Sequence, residues 1–324
     1  MKYQRKRHEN TRIVAAVAAI LVVFAGIFAV IYFAGNGMMP DTSTLREIEH
    51  EGERYAPNDA IVTYLLIGVD SAAATPSSSE QRNHGLASFI ALFAFDTRQK
   101  SCTVVHINQD TVAQIRVLDA NGKVIDNRTA QIALSHSYGS RAEDSALNTV
   151  AAVSELLHSV PITYYISLTM DGLAAMNDAV GGVSILVEDD FSSVDVSLRQ
   201  GERIMLSGEQ AVTFLRSHAE MKDDSLSQMA RQQQYMKALY AALSGGIKKN
   251  PSLIRDIYEG LVSNMTTNCS IYSLLTFGDR VRDYSLVDVI SLTGETAVQD
   301  GNVAYCLDET ALMKTVLDIF YKKK

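Results

Sequence analysis

Apolar positions along the chain change their period several times, and each change marks an element. Residues 13–34 (IVAAVAAILVVFAGIFAVIYFA) run without a charge. As a helix this stretch is about 33 Å long, which predicts a membrane span. Residues 61–69 (IVTYLLIGV), closed by Asp70, predict a buried strand, and 89–95 and 103–107 predict two more around a turn at 96–100 (DTRQK). Residues 145–158 carry Leu147, Val150, Ala151, Val153, Leu156 and Leu157 at helical spacing, with Pro161 as the stop. A strand at 162–168, a helix at 170–179, a Gly181-Gly182 turn and a strand at 183–187 follow. Ser207-Gly208-Glu209-Gln210 reads as a capping box ahead of 211–215. A long helix is expected over 225–243, ended by Gly245-Gly246. Helices near 253–262 and 270–282, a strand near 287–292 and a last helix over 309–321 complete the pattern, with one short helix expected around 44–50. Strands and helices alternate, so the expected architecture is α/β, a three-layer α-β-α sandwich.

Charge sets the expected topology. The chain has 324 residues and a net charge of −8. Its first twelve residues carry a net +4, so residues 13–324 carry −12. Positive charge beside the apolar run predicts a cytoplasmic N-terminus and an outer C-terminal part. The expected organisation is a basic tail at 1–12, a signal anchor at 13–34, a stalk at 35–59 and an extracellular domain at 60–324. A cleaved signal peptide is the rival, but its apolar region is usually only about 7–15 residues long. The acidic balance argues against a general nucleic-acid binder, which needs a basic face for phosphates. A composition 47% hydrophobic and 20% charged excludes disorder. Cys102, Cys269 and Cys306 fit no zinc spacing; Cys269 and Cys306 could pair, or all three are free core or loop thiols.

No phosphate-loop, nucleophile-elbow, zinc-protease or dinucleotide motif occurs, and the seven histidines are scattered. Polar residues at special places say more. Asp70 follows a buried strand, where ligand sites of α/β sheets collect; it is a cation-holding carboxylate or a turn-forming Asp. Asp110, after the strand through His106, has the same two readings. On the long helix Asp224, Gln228, Arg231 and Tyr235 fall within about 40° of one another, with Gln232 beside them. This stripe is either a phosphoryl grip, completed by Arg216, or a solvated face.

These segments resemble the LytR-CpsA-Psr family of bacterial envelope proteins. The likeness rests on YLLIGVD (64–70), INQDT (107–111), IALSHSYG (132–139), ELLHSVPITYYISL (155–168) and NDAVGGVSILV (177–187). It continues through LSGEQAVTFLRS (206–217), MARQQQYMKAL (229–239) and QDGNVAYCLDE (299–309). The resemblance implies a phosphotransferase outside the membrane, with a polyprenyl-pyrophosphate-linked glycopolymer as donor, peptidoglycan as acceptor and Mg²⁺ or Mn²⁺ as cofactor. It implies an apolar groove for the lipid tail. It implies that Asp70 is a metal or phosphate-site aspartate and Asp110 a second catalytic carboxylate. By the same resemblance Arg216 and Arg231 bind pyrophosphate, with Gln232 beside the second.

The chain departs from the pattern in four places. Ser88 stands where a second metal-site carboxylate is expected. Gln109, His218 and Gln228 stand where arginines are typical. Arg82, Arg98 and Arg141 are the candidate substitutes. Three functions therefore remain: a transferase with a rearranged pocket, a binder of polyprenyl-phosphate lipid without turnover, and an envelope regulatory or assembly protein.

Overall fold

Alternating burial on two central strands organises the molecule. The computed structural model describes residues 45–70, 85–119, 121–139, 141–216, 224–299 and 302–324. The strands in the first half are β1 (Ile48–His50), β2 (Glu53–Pro57), β3 (Ile61–Asp70), β4 (Leu86–Asp96), β5 (Ser101–Ile107), β6 (Val112–Leu118) and β7 (Val124–Gln131). Helix α1 (Ala142–Leu156), β8 (Tyr164–Thr169), α2 (Met170–Ala179), β9 (Val183–Leu186), β10 (Arg203–Leu206) and α3 (Gly208–Arg216) follow. The chain then forms α4 (Asp224–Lys249), α5 (Leu253–Leu261), β11 (Met265–Thr267), α6 (Ile271–Asp283), β12 (Ser285–Ser291), β13 (Gly294–Gln299), β14 (Asn302–Leu307), α7 (Glu309–Phe320) and β15 (Tyr321–Lys323).

Six strands form the main sheet in the order β11-β8-β3-β4-β5-β12. The β8–β3 and β5–β12 pairs are parallel and the others antiparallel. β3 is buried along its whole length and β4 is buried apart from its first residue, as their near-continuous apolar runs require. Val62, Tyr64 and Leu66 face one core, built with α2 through α6. Ile61, Leu65, Ile67 and Val69 face the other, built with α1, α7 and β6. The fold is therefore mixed α/β, with helices on both faces of the sheet.

Several local expectations hold for the reasons given. Asp96 closes the β4–β5 turn by accepting from the Arg98 and Gln99 amides at 2.9 and 2.8 Å. The capping box forms: Ser207 Oγ accepts from the Gln210 amide at 3.3 Å, and Gln210 Oε1 accepts from the Ser207 amide at 3.1 Å.

Others are corrected. Residues 48–50 are a strand, not part of a short helix, because β1 and β2 pair and β2 also pairs with the C-terminal β15. The expected 35–59 stalk thus carries two strands of a three-stranded sheet. Helix α4 does not end at Gly245-Gly246 but runs to Lys249. A Cβ on Gly246 would lie 2.7 Å from Leu253 Cδ2, so that glycine serves close approach to α5 rather than a cap. The hairpins β6–β7 and β13–β14 were not predicted: β6 does alternate buried Ala113, Ile115 and Val117 with exposed Gln114 and Arg116, but its partner β7 is largely exposed and carries no apolar alternation. Cys102, Cys269 and Cys306 are all free, the first two buried.

The expected anchor at 13–34 and the tail before it lie outside the described residues. Among the described residues no helix is long and apolar enough to cross a membrane.

Candidate functional site

The site collects at the end of the sheet where β3 finishes and β4 begins. Asp70 sits on the same face of β3 as Tyr64 and Leu66, by the two-residue repeat of a strand. Arg216 is the last residue of α3, and its Nε lies 2.6 Å from Asp70 Oδ2. The Asp70 side chain is 8% exposed and that of Arg216 41%, so the guanidinium keeps a face toward solvent where a ligand could meet it.

The donor stripe on α4 is not a solvated face: Gln228, Arg231 and Gln232 are buried. It caps α3. Gln228 Nε2 donates to the Leu215 carbonyl at 3.0 Å, Gln232 Nε2 to the same carbonyl at 3.3 Å, and Arg231 Nε to the Phe214 carbonyl at 3.0 Å. These carbonyls lie in the last turn of α3, which lacks internal partners and carries negative partial charge, so amides and a guanidinium satisfy it well. Arg231 is buried. Its guanidinium carbon lies 4.4 Å from the Phe191 ring centroid, and Nη1 donates to Ser227 Oγ at 2.7 Å. Arg231, Gln228 and Gln232 therefore fix the peptide units that present Arg216.

Ser88 is the extra residue of a β-bulge: Gly68 pairs with Phe89 and Val69 with Ala87, leaving Ser88 out of register. The Ser88 carbonyl accepts from Gln232 Nε2 at 3.3 Å. Gln109 and Gln228, both at expected arginine positions, bond to each other at 3.3 Å through Gln109 Nε2 and Gln228 Oε1. Gln131 of β7 donates to Asp110 Oδ1 at 2.8 Å. His218 and Arg82 lie outside the described residues. Arg98 pairs with Asp59 at 2.7 Å beside the β4–β5 turn, at the far end of the sheet from Asp70, and Arg141 pairs with Asp144 at 2.7 Å. Arg98 therefore does not reach the site.

The described residues do not fit a resident Mg²⁺ or Mn²⁺ ion. Such ions need several oxygen donors. Here one carboxylate is already met by a guanidinium, Ser88 offers its carbonyl to Gln232, and no cluster of three acidic, His or Cys groups occurs among the described residues.

Behind the site, on the same face of the sheet, lies an apolar cavity of about 80 Å³. Tyr64, Leu66, Phe93 and Leu168 line it from the sheet, with Leu239 and Phe277 among the helix residues. Interiors leave few voids larger than a water, so a gap of this size lined by apolar groups is a feature of the fold. Between it and Asp70 lies Gly68, where a Cβ would meet Phe89 Cβ at 2.9 Å, Leu173 Cδ1 at 3.6 Å and Met170 Cε at 3.7 Å.

Sequence reading missed His106. It lies on β5 facing α4, fully buried, with Nε2 2.7 Å from Gln232 Oε1 and Nδ1 3.0 Å from Ser291 Oγ. Its only sequence signal is its place on the inward face after Cys102 and Val104. Burial pushes its pKa down from 6.5 to about 4, partly offset by the bond to Gln232. The folded ring thus stays neutral where the unfolded one takes a proton. Its contribution to stability is full above pH 6.5 and is lost as pH falls toward 4. The shift corresponds to about 3 kcal/mol at most. Urea midpoints are expected to fall from pH 7 to 4.5, and His106→Gln to remove that part of the fall; an unchanged pH dependence in the variant would contradict the assignment.

The LytR_cpsA_psr family model matches residues 32–318. The chain is 25% identical over 300 residues to the polyisoprenyl-teichoic acid–peptidoglycan teichoic acid transferase TagU of Enterococcus faecalis, covering 91% of each protein. It is 24% identical over 269 residues to the TagU of Bacillus anthracis, covering 79% of this chain and 77% of that one. Among solved structures it is similar to B. subtilis TagV (TM-score 0.62, 23% identity, 80% of this chain and 96% of that one). It is also similar to TagT bound to LI-WTA (TM-score 0.62, 18% identity, 87% and 95%).

Proposed function

The chain belongs to the LytR_cpsA_psr family, and from that premise we propose that it transfers a polyprenyl-pyrophosphate-linked glycopolymer to peptidoglycan. The observation that carries this reading is the Asp70–Arg216 pair at the end of a strand whose same face, further back, lines an apolar cavity. A lipid pyrophosphate needs both halves: a dry slot for the chain and a cation for the phosphoryl oxygens.

In this mechanism the pyrophosphate draws Arg216 from Asp70 onto its oxygens. Asp70, released, accepts the proton of a peptidoglycan hydroxyl as that oxygen attacks the sugar-proximal phosphorus. The new O–P bond forms, the bridging P–O bond breaks, and polyprenyl phosphate leaves with the electron pair. Residues 13–34 would hold the domain beside its membrane-borne donor and raise the effective concentration. Deleting residues 1–34 is then expected to move the protein from the membrane to the soluble fraction.

The test supplies full-length protein in detergent with a polyprenyl-pyrophosphate-linked glycopolymer and peptidoglycan. Transfer with release of polyprenyl phosphate is expected. Leu239→Trp, which fills the cavity, is expected to cut transfer and lipid binding about tenfold or more, as misplacing a bound donor does. Full transfer by this variant, or none by the wild type, would overturn the reading. One observation favours a second reading, a lipid binder without turnover: Gln109 and Gln228 pair as neutral amides where the family resemblance expects arginines. Lipid retained without phosphate release would decide for it.

A further inference from the structure

A chain of oriented hydrogen bonds runs behind the site from β12 to α3. Ser291 Oγ lies 3.0 Å from His106 Nδ1, and His106 Nε2 lies 2.7 Å from Gln232 Oε1. Gln232 Nε2 then donates to the Leu215 and Ser88 carbonyls, both at 3.3 Å. An amide oxygen only accepts, so His106 must carry its proton on Nε2, and the Ser291 hydroxyl donates to Nδ1. The proton on Nε2 locks the Gln232 amide. Flipped, its oxygen would face two carbonyl oxygens and its NH₂ would face an N–H. The Leu215 carbonyl and the Arg216 amide belong to one rigid peptide plane. Holding that carbonyl therefore holds the root of the arginine that meets Asp70.

We propose that His106 is a positioning residue of the transfer reaction, orienting Gln232 so that the Leu215–Arg216 peptide, and with it the Arg216 guanidinium, is held at Asp70. The proposal rests on the transferase reading above. A packing role alone does not call for this residue. Cys102 and Val104, inward-facing on the same strand, show that apolar groups fill this face, and burying an imidazole among them costs desolvation that its two hydrogen bonds must offset.

Two substitutions separate the contacts. His106→Gln places an amide N–H near the Nε2 position and keeps the bond to Gln232. His106→Asn reaches only the Nδ1 position and keeps the side toward Ser291. The full-length protein is assayed for transfer, and for binding of geranylgeranyl pyrophosphate and of geranylgeraniol, which share a tail and differ in the phosphates. His106→Asn is expected to lower kcat and geranylgeranyl pyrophosphate affinity about 10-fold or more, the scale set by a misplaced catalytic group. Geranylgeraniol affinity should stay unchanged, and His106→Gln should remain within about threefold of wild type by the same reasoning. If His106→Asn does not fold, Ser291→Ala, which frees the tautomer, should show the same selective loss on a smaller scale.

The proposal is overturned if His106→Asn matches wild type, or if His106→Asn and His106→Gln fall together in binding both ligands, the mark of a purely structural role. A wild type that binds pyrophosphate and alcohol equally overturns the transferase reading and this proposal with it. A discriminating wild type with indifferent variants overturns this proposal alone.

Discussion

Replacing Arg216 with alanine should lower glycopolymer transfer by about 10²–10³-fold, the effect of removing one group aimed at charge that develops in the transition state. Its Nε sits 2.6 Å from Asp70 Oδ2, and its half-exposed guanidinium is the described cation at the mouth of the site that a pyrophosphate can reach without unfolding anything. Arg216→Lys keeps the charge but loses the planar fork that grips two oxygens, so it should recover only part of the rate. Asp70→Asn should also abolish most transfer, because the neutral amide cannot accept the hydroxyl proton. Arg216→Ala should also lower the melting temperature, since it takes the guanidinium from a carboxylate only 8% exposed, whereas Asp70→Asn leaves no buried charge behind and should lower it less. Steady-state transfer rates with melting curves check this. Wild-type rates in Arg216→Ala would remove the site from consideration.

Gly208→Ala should destabilise the fold, with a melting temperature lower by about 5 °C or more, because overpacking a tight contact costs typically 1–3 kcal/mol. Gly208 starts α3, and a Cβ there would run into the Ala174 carbonyl group, 2.7 Å from its carbon, and lie 2.7 Å from Asp178 Oδ2. Asp178 Oδ1 also accepts from the Gly208 amide at 2.7 Å. The close fit of α3 on α2 sets the direction in which α3 delivers Arg216, so activity should fall with stability. Gly245→Ala is the control: nothing lies within 4 Å of its Cβ, and it sits inside α4. It should stabilise the protein by about 0.5–1 kcal/mol, by limiting the unfolded chain. Calorimetry that ranks the two variants the other way would contradict this account of the α2–α3 contact.

The elements that hold the site were legible where one face of an element is buried. The strand ended by Asp70, the strand through Val104 and Val105, the helix over 170–179 and the capping box of α3 all carry apolar periodicity or a cap. Those signals are local, so a one-dimensional reading finds them. The α4 stripe was found too, since Gln228, Arg231 and Gln232 share a face by helical geometry alone. Its purpose was not. Whether donors on a helix face meet water, a phosphate or another helix depends on what stands opposite, and the C-terminal carbonyls of α3 stand there. Asp110 follows a strand, which the sequence showed, but its described side-chain partner, Gln131, comes from β7, a largely exposed strand with no clear periodic signal.

By itself the sequence determined the mixed α/β class, most of the helices and central strands, the family, and the residues at strand and helix ends where a site can form. It could do so because burial, capping and turn chemistry act over a few residues. Only the tertiary structure decided which of those ends meet. It joined Asp70 to Arg216 across 146 positions of chain, set Gln131 on Asp110, brought Arg231 to a helix terminus and set His106 behind Gln232. Such pairings depend on sheet order, on a one-residue bulge at Ser88 and on the angle at which α3 crosses α2, which are properties of the packed chain and not of any short stretch of it.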